Sequence, residues 1–164
     1  MSDLRVGIGV DAHAFDHDLP LVLAGVPFPG EPGLAGHSDG DVIAHALTDA
    51  LLGAAGLDDI GSLFPSDDDR WKGADSIDLL RQAYDVVQQA GFDLVNADCI
   101  LIGQRPRIAA HRASMRARLA EAINVGMEMV SVRATTTDHL GFVGREEGLA
   151  AQAVALVRRI DGET

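Results

Sequence analysis

Residues 5–15, RVGIGVDAHAF, alternate with a period of two that puts Val6, Ile8, Val10 and Ala12 on one face of a strand and Gly7, Gly9, Asp11 and His13 on the other. The second face offers two positions without side chains, then a carboxylate and an imidazole. The glycines leave room for another backbone to come close. LPLVLAGVPFPG predicts a short apolar strand, a turn at Ala24-Gly25 and a proline- and glycine-rich loop to about Gly36. The period then changes: residues 38–56, SDGDVIAHALTDALLGAAG, open with Ser38-x-x-Asp41, which resembles a capping box, and close at Gly56, a helix of about four turns. LDDIGSLFPSDDDRWKGADS has no sustained period and reads as a long loop with room for one short helical turn.

A second helix is predicted over 75–91, with Ile77, Leu80, Tyr84 and Val87 on its apolar face. LVNADCILIG predicts a strand, RPRIAAHRASMRARLAEAIN a helix with Ile108, Met115, Leu119 and Ala122 inward, and VSVRATTT another strand. EEGLAAQAVALVRRI is apolar around most of its circumference and is read as a final helix, buried against more than one layer or a neighbouring subunit. Alternating strands and helices predict one sheet covered by helices, in a single domain over 1–164.

Charge narrows the partners. Thirteen basic against twenty-five acidic residues give a net charge of −12, which argues against nucleic acid and leaves an anionic ligand to be met by a metal ion, helix N-termini or a few local cations. Apolar stretches stop short of a membrane span and MSDLRVG lacks a charged leader before an apolar core, so a cytoplasmic protein with no membrane partner is expected. The single cysteine, Cys99, lies in the apolar run ADCILIG and reads as a small buried hydrophobe.

Three stretches carry candidate chemistry. Asp11 and His13, two apart on a strand, converge on one side. GHSDGDVIAHALTD adds His37, Asp39 and Asp41 near a helix start and His45 within it; His45 either completes an Asp/His/His set with one tetrahedral position open or packs in the core. Asp49, one turn beyond His45, is placed to orient that imidazole or is a solvated helix charge. RATTTDHLGFVGREEG puts three threonines at a strand end before Asp138 and Arg145, a set that holds phosphate oxygens or a divalent cation, or reflects ordinary strand propensity.

Taken in order, GVDAHAF, HSDGDVIAHALTDALLGAAGLDDIGSLFP, WKGADS, GQRPRIAAH and ATTTDHLGFVGREEG resemble the 2-C-methyl-D-erythritol 2,4-cyclodiphosphate synthase family over nearly the whole chain. The resemblance implies an α+β fold, an α/β sandwich with one sheet layer covered by helices on one face, assembling as a homotrimer around the sheets with active sites between subunits. It implies a CMP-forming phosphorus–oxygen lyase of the non-mevalonate isoprenoid pathway, acting on a small cytidine diphosphate substrate. Asp11, His13 and His45 would hold zinc. His37 and Ser38 would steady the attacking phosphate and Thr136 would support the transition state. Ala134, Thr135 and Asp138 fall at the diphosphate and a magnesium or manganese ion; the family usually has Glu where Asp138 stands, one methylene longer.

By the same resemblance Asp59, Ile60, Gly61, Phe64, Pro65, Ser66, Asp67 and Asp68 match the methylerythritol-binding loop. Gly103, Gln104, Arg105, Pro106, Arg107, Ile108 and Ala109 match the cytidine pocket. Phe142 and Arg145 match a trimer-axis site for an isoprenyl diphosphate, and Gln152 replaces the acid the family usually places nearby. With the resemblance set aside, the same residues also fit a zinc phosphoesterase that activates water, or a binding protein for isoprenoid diphosphates.

Overall fold

The computed structural model describes residues 3–160, so the extreme ends of the expected 1–164 domain lie outside the described residues. A five-stranded mixed sheet has the order β2-β1-β5-β3-β4: β1 (Leu4–Leu23), β2 (Val26–Leu34), β3 (Phe92–Ile102), β4 (Val130–Thr135) and β5 (Gly148–Arg159). Only β3 and β4 run parallel. Helices α1 (Val42–Ala55), α3 (Ser76–Gln89) and α4 (Arg112–Ala122) form the second layer, and α2 (Ile60–Leu63) and α5 (Gly141–Gly144) are single turns. This is the α+β arrangement expected. No helix among the described residues is long and apolar enough to cross a membrane.

The alternation in β1 is real, but the hydrophobic face is the uncovered one. Val6, Ile8 and Val10 are 68%, 60% and 63% exposed, whereas Gly7 and Gly9 are buried beneath α1. A methyl group on Gly9 would lie 1.9 Å from the Ala46 carbonyl oxygen, and one on Gly7 would lie 2.1 Å from that of Ala50. The strand thus meets the helix backbone to backbone, a contact only glycine permits. Alanines on the facing side of α1 and on β5 (Ala46, Ala50, Ala54, Ala151, Ala153, Ala155) keep the layer thin.

Several expectations are corrected. The predicted final helix is β5, the central strand between β1 and β3. Its buried positions Leu149, Ala151, Ala153, Ala155 and Val157 have period two, and alanine's helix preference yields to two flanking ladders. The proline- and glycine-rich loop after Gly25 is largely β2, an edge strand, where the missing N–H groups of Pro27, Pro29 and Pro32 are tolerated. The expected first two strands are one 20-residue strand whose pairing with β2 is irregular around Pro20. The turn stands where predicted, with Ala24 at φ 49° and Gly25 at φ 71°. Helix α4 begins at Arg112, later than the pattern implied, after a 3₁₀ turn at Ala109–His111; it buries Met115, Leu119 and Ala122, and Ile108 is buried ahead of that turn, outside the helix.

Helix α1 is capped by Asp41 itself, not by Ser38. The buried Asp41 carboxylate accepts from Ala44 N at 3.1 Å and also from Ala24 N and Gly25 N, each at 2.8 Å, tying the helix start to the β1–β2 turn. Gly56 closes the helix at φ 75°, as predicted. Cys99 is a buried hydrophobe whose thiol burial pushes up to about 12, far from nucleophilic reactivity.

Gly9→Ala is expected to cost roughly 3 kcal/mol or more in a denaturant melt, since strand and helix must part; a loss under about 1 kcal/mol would show that the contact yields cheaply. Asp41 carries a second prediction. Burial and the Asp39 charge raise its pKa from 3.8 to about 6, against three amides that favour the ionised form. Between these values the folded chain holds a proton that the unfolded chain has released, so this contribution to stability falls as pH rises through the window. The stability gap between wild type and Asp41→Asn, which does not titrate, is therefore widest near pH 4 and narrows toward pH 6. A gap that stays constant or widens would show Asp41 ionised throughout.

Candidate active site

Strand β1 and helix α1 bring together the residues that the sequence pattern paired. Asp11 Oδ2 lies 2.9 Å from His13 Nε2 and 2.9 Å from His45 Nδ1, and the two ring nitrogens are 3.4 Å apart. Ligands bonded tetrahedrally at zinc-like lengths of about 2.0–2.1 Å are about 3.3 Å apart, so the three atoms sit at nearly the spacing an ion requires. Two neutral imidazoles and a carboxylate are a chemically suitable set, and among the described residues this is the one cluster of its kind. His13 turns its Nε2 to the cluster, toward both Asp11 and His45. Burial alone would raise the Asp11 carboxyl; hydrogen bonds and charge from His13 and His45 override it and hold it well below the usual carboxylate range. The Asp11 bond in turn raises His13 against its burial.

The cluster opens into a cavity of about 200 Å³ whose wall includes His37, Ser38, Ile60, Gly61, Phe64 and Ser66. His37 Nε2 lies 3.2 Å from the Asp68 carbonyl oxygen. Of the remaining loop residues, Asp59 caps α2 by accepting from Ser62 N, and Asp68 caps the Asp69–Trp71 turn and pairs with Arg70. Pro65 and Asp67 lie between the wall residues and that turn without lining the cavity.

Asp49 does not orient His45. It accepts from Ile60 N at 2.8 Å and so fixes the start of the cavity loop, while both ring nitrogens of His45 are engaged elsewhere. Burial raises the Asp49 carboxyl, with the Ile60 amide opposing.

A second cavity, of about 290 Å³, lies at the ends of β3 and β4. Its wall contains Gly103, Gln104, Pro106, Arg107, Ile108 and Ala109 from one segment and Ala134, Thr135 and Thr136 from the other. Arg105 is outside this wall, paired with Glu31 at 3.3 Å. Thr136 Oγ1 lies 3.3 Å from Asp138 Oδ1, and Asp138 stands at φ 51°, in the region few residues other than glycine adopt. Phe142 is exposed and Arg145 bonds Glu147 at 2.7 Å, a compensation for its charge that the sequence pattern did not reveal. The two cavities share no wall residue, so one chain does not bring His37 and Thr136 together.

Four residues at these sites escaped the sequence reading. Arg112 joins the second cavity, Trp71 and Leu79 line the first, and Ser76 contacts His45 from the start of α3. Asp75-Ser76 reads simply as a helix start, and Asp75 is the cap; nothing local marks Ser76 as facing a distant histidine.

With this geometry established, likeness to known proteins assigns the class. Residues 4–158 match the YgbB family, and the chain belongs to it. The 2-C-methyl-D-erythritol 2,4-cyclodiphosphate synthase of Rubrobacter xylanophilus is 56% identical over 165 residues, covering 99% of each chain. Among solved structures, the bifunctional IspDF of Campylobacter jejuni superposes at TM-score 0.94 with 43% identity over 98% of this chain, which spans 44% of that longer protein. The Plasmodium falciparum IspF CDP complex superposes at 0.83 with 30% identity, covering 96% and 97% of the two chains.

Trp71 is the sole tryptophan, and its ring meets Phe64 edge to face at 4.9 Å. Phe64→Ala should therefore shift tryptophan emission to the red and increase quenching by acrylamide, with the far-ultraviolet spectrum unchanged. Unaltered emission would mean that the cavity loop is not held by this pair.

Proposed function

We propose that this chain converts 4-diphosphocytidyl-2-C-methyl-D-erythritol 2-phosphate to 2-C-methyl-D-erythritol 2,4-cyclodiphosphate and CMP, a phosphorus–oxygen lyase step of the non-mevalonate isoprenoid pathway. The observation that carries the reading is the convergence of Asp11, His13 and His45 on one point of a cavity lined by His37 and Ser38, in a chain of this family. An oxygen of the 2-phosphate attacks the β-phosphorus, the bond from that phosphorus to the oxygen bridging it to the α-phosphorus breaks, and CMP departs with that oxygen. A zinc ion held by Asp11, His13 and His45 would supply Lewis-acid polarisation and a template for phosphate oxygens. His37 and Ser38 orient the attacking phosphate. Thr136 donates to the transferring group, and Thr135 and Asp138 would hold the diphosphate and a magnesium or manganese ion that neutralises its charge. Gly103, Gln104 and Pro106 to Ala109 receive the cytidine through backbone groups, and the loop from Asp59 to Asp68 encloses the methylerythritol and keeps water from the phosphorus.

This reading needs both cavities at one substrate. Asp11 and Ala134 stand at the same level of the sheet but on strands three steps apart, about 14 Å at a spacing of about 4.8 Å. A homotrimer in which one subunit's second cavity faces its neighbour's metal cluster meets that need. The uncovered sheet face, with Leu4, Val6, Ile8, Val10 and Val154 exposed, supports assembly around the sheets. Phe142 and Arg145 are candidates for an isoprenyl diphosphate site on the axis, and Glu147, paired with Arg145, supplies an acid near it where Gln152 does not.

Incubating the protein with the cytidine substrate, Zn²⁺ and Mg²⁺ should release one CMP per cyclic diphosphate formed. Thr136→Ala should lower turnover roughly 10²- to 10³-fold with zinc content and melting temperature retained. A linear phosphate product would establish the hydrolase instead, and binding without CMP release would establish a carrier.

A further inference from the structure

We propose that Ser76 and Asp39 are positioning residues for His45, forming a carboxylate–serine–imidazole relay that decides which nitrogen of the ring faces the metal. The inference rests on reading Asp11, His13 and His45 as the ligands. His45 presents Nδ1 to Asp11 and His13, and its other nitrogen, Nε2, lies 2.8 Å from Ser76 Oγ. The Ser76 hydroxyl reaches Asp39 Oδ1, and Ser76 N donates to Asp39 Oδ2 at 3.0 Å. Asp39 Oδ1 also accepts from Asp41 N at 3.1 Å, which anchors the carboxylate to the segment entering α1.

The direction of hydrogen bonding along this chain is determined by its end. A carboxylate only accepts, so Ser76 must give its hydroxyl hydrogen to Asp39. What Ser76 then turns to His45 is a lone pair, and Nε2 must carry the ring hydrogen. Nδ1 is left with its lone pair directed at Asp11 and His13, the state a metal ligand needs. The opposite tautomer would set two lone pairs against each other at Nε2 and block Nδ1.

Helix capping does not explain Ser76. The cap of α3 is Asp75, and among the described residues the Ser76 hydroxyl has no backbone partner; its neighbours are His45, Asp39 and, at 3.4 Å, Ser38. The side chain is fully buried, out of reach of bulk solvent. Ser38 Oγ lies 2.9 Å from the same His45 nitrogen and also lines the cavity. With Ser76 taking the ring hydrogen, the Ser38 hydroxyl is free to turn toward a ligand.

The test is zinc affinity of the full-length protein, read by competition with a chromophoric chelator, alongside melting curves of the metal-free forms. Ser76→Ala should weaken zinc binding about 10- to 100-fold with the metal-free melting curve close to wild type. Asp39→Asn should weaken it at least as much, because a carboxamide N–H facing Ser76 Oγ reverses the relay and favours hydrogen on Nδ1. The double variant should bind no worse than Asp39→Asn alone, the mark of one pathway. Undiminished affinity in Ser76→Ala overturns the proposal even if Asp39→Asn folds poorly, and losses that multiply in the double variant also overturn it. His45→Ala separates the levels: if wild type binds no zinc, or His45→Ala binds as tightly as wild type, the ligand reading fails and the relay with it. If His45→Ala loses zinc while the relay variants keep it, the relay alone is wrong.

Discussion

The absence of side chains at Gly7 and Gly9 is the constraint on which the site depends. His45 belongs to α1, and Asp11 and His13 belong to β1; their polar atoms meet at about 3 Å only because helix and strand touch along their backbones. Alanines on both surfaces extend that contact, and Leu47, Leu51 and Leu80 are fully buried in the core. A helix one methyl group farther out would still be amphipathic and still cover the sheet. It would hold His45 too far away to share an ion with β1.

Around the start of α1, a strongly acidic chain brings three carboxylates into a small volume and gives each a different counterpart. Asp11 is balanced by two imidazoles, Asp39 by the Ser76 hydroxyl and two amides, and Asp41 by three amides at the buried turn. No lysine or arginine takes part in these bonds. Backbone N–H groups and the partial positive charge of the helix end replace them. Cationic side chains would compete with a metal ion for Asp11, and their absence leaves that carboxylate available.

Much of this was legible in the sequence. Period two in residues 5–15 correctly placed Asp11 and His13 on one face, and the Gly56 stop and the Ile77-Leu80-Tyr84-Val87 face are where the pattern put them. Failures arose where a residue answers to something distant. The alanines of β5 have helical preference, and only the ladders on both sides, contributed by residues some 50 and 145 positions away, make them a strand. Asp49 has the spacing for a bond to His45 but prefers the Ile60 amide, and Ser76 looks like part of a helix cap yet serves the imidazole. A short-range pattern shows which atoms are near enough to bond and not which partner wins.

The strand order carries a consequence for biosynthesis. Of the five strands of this sheet, β1 is the first in chain order and completes its ladder on β5, the last, and β5 is also the strand that joins the β1–β2 hairpin to β3 and β4. While the ribosome works toward Arg159, the nascent chain holds two fragments of sheet with open edges, and neither can substitute for the missing middle strand. Such long-range closure slows folding and exposes unpaired edges to association. Asp11 and His13 gain the central strand behind them only once β5 has been made.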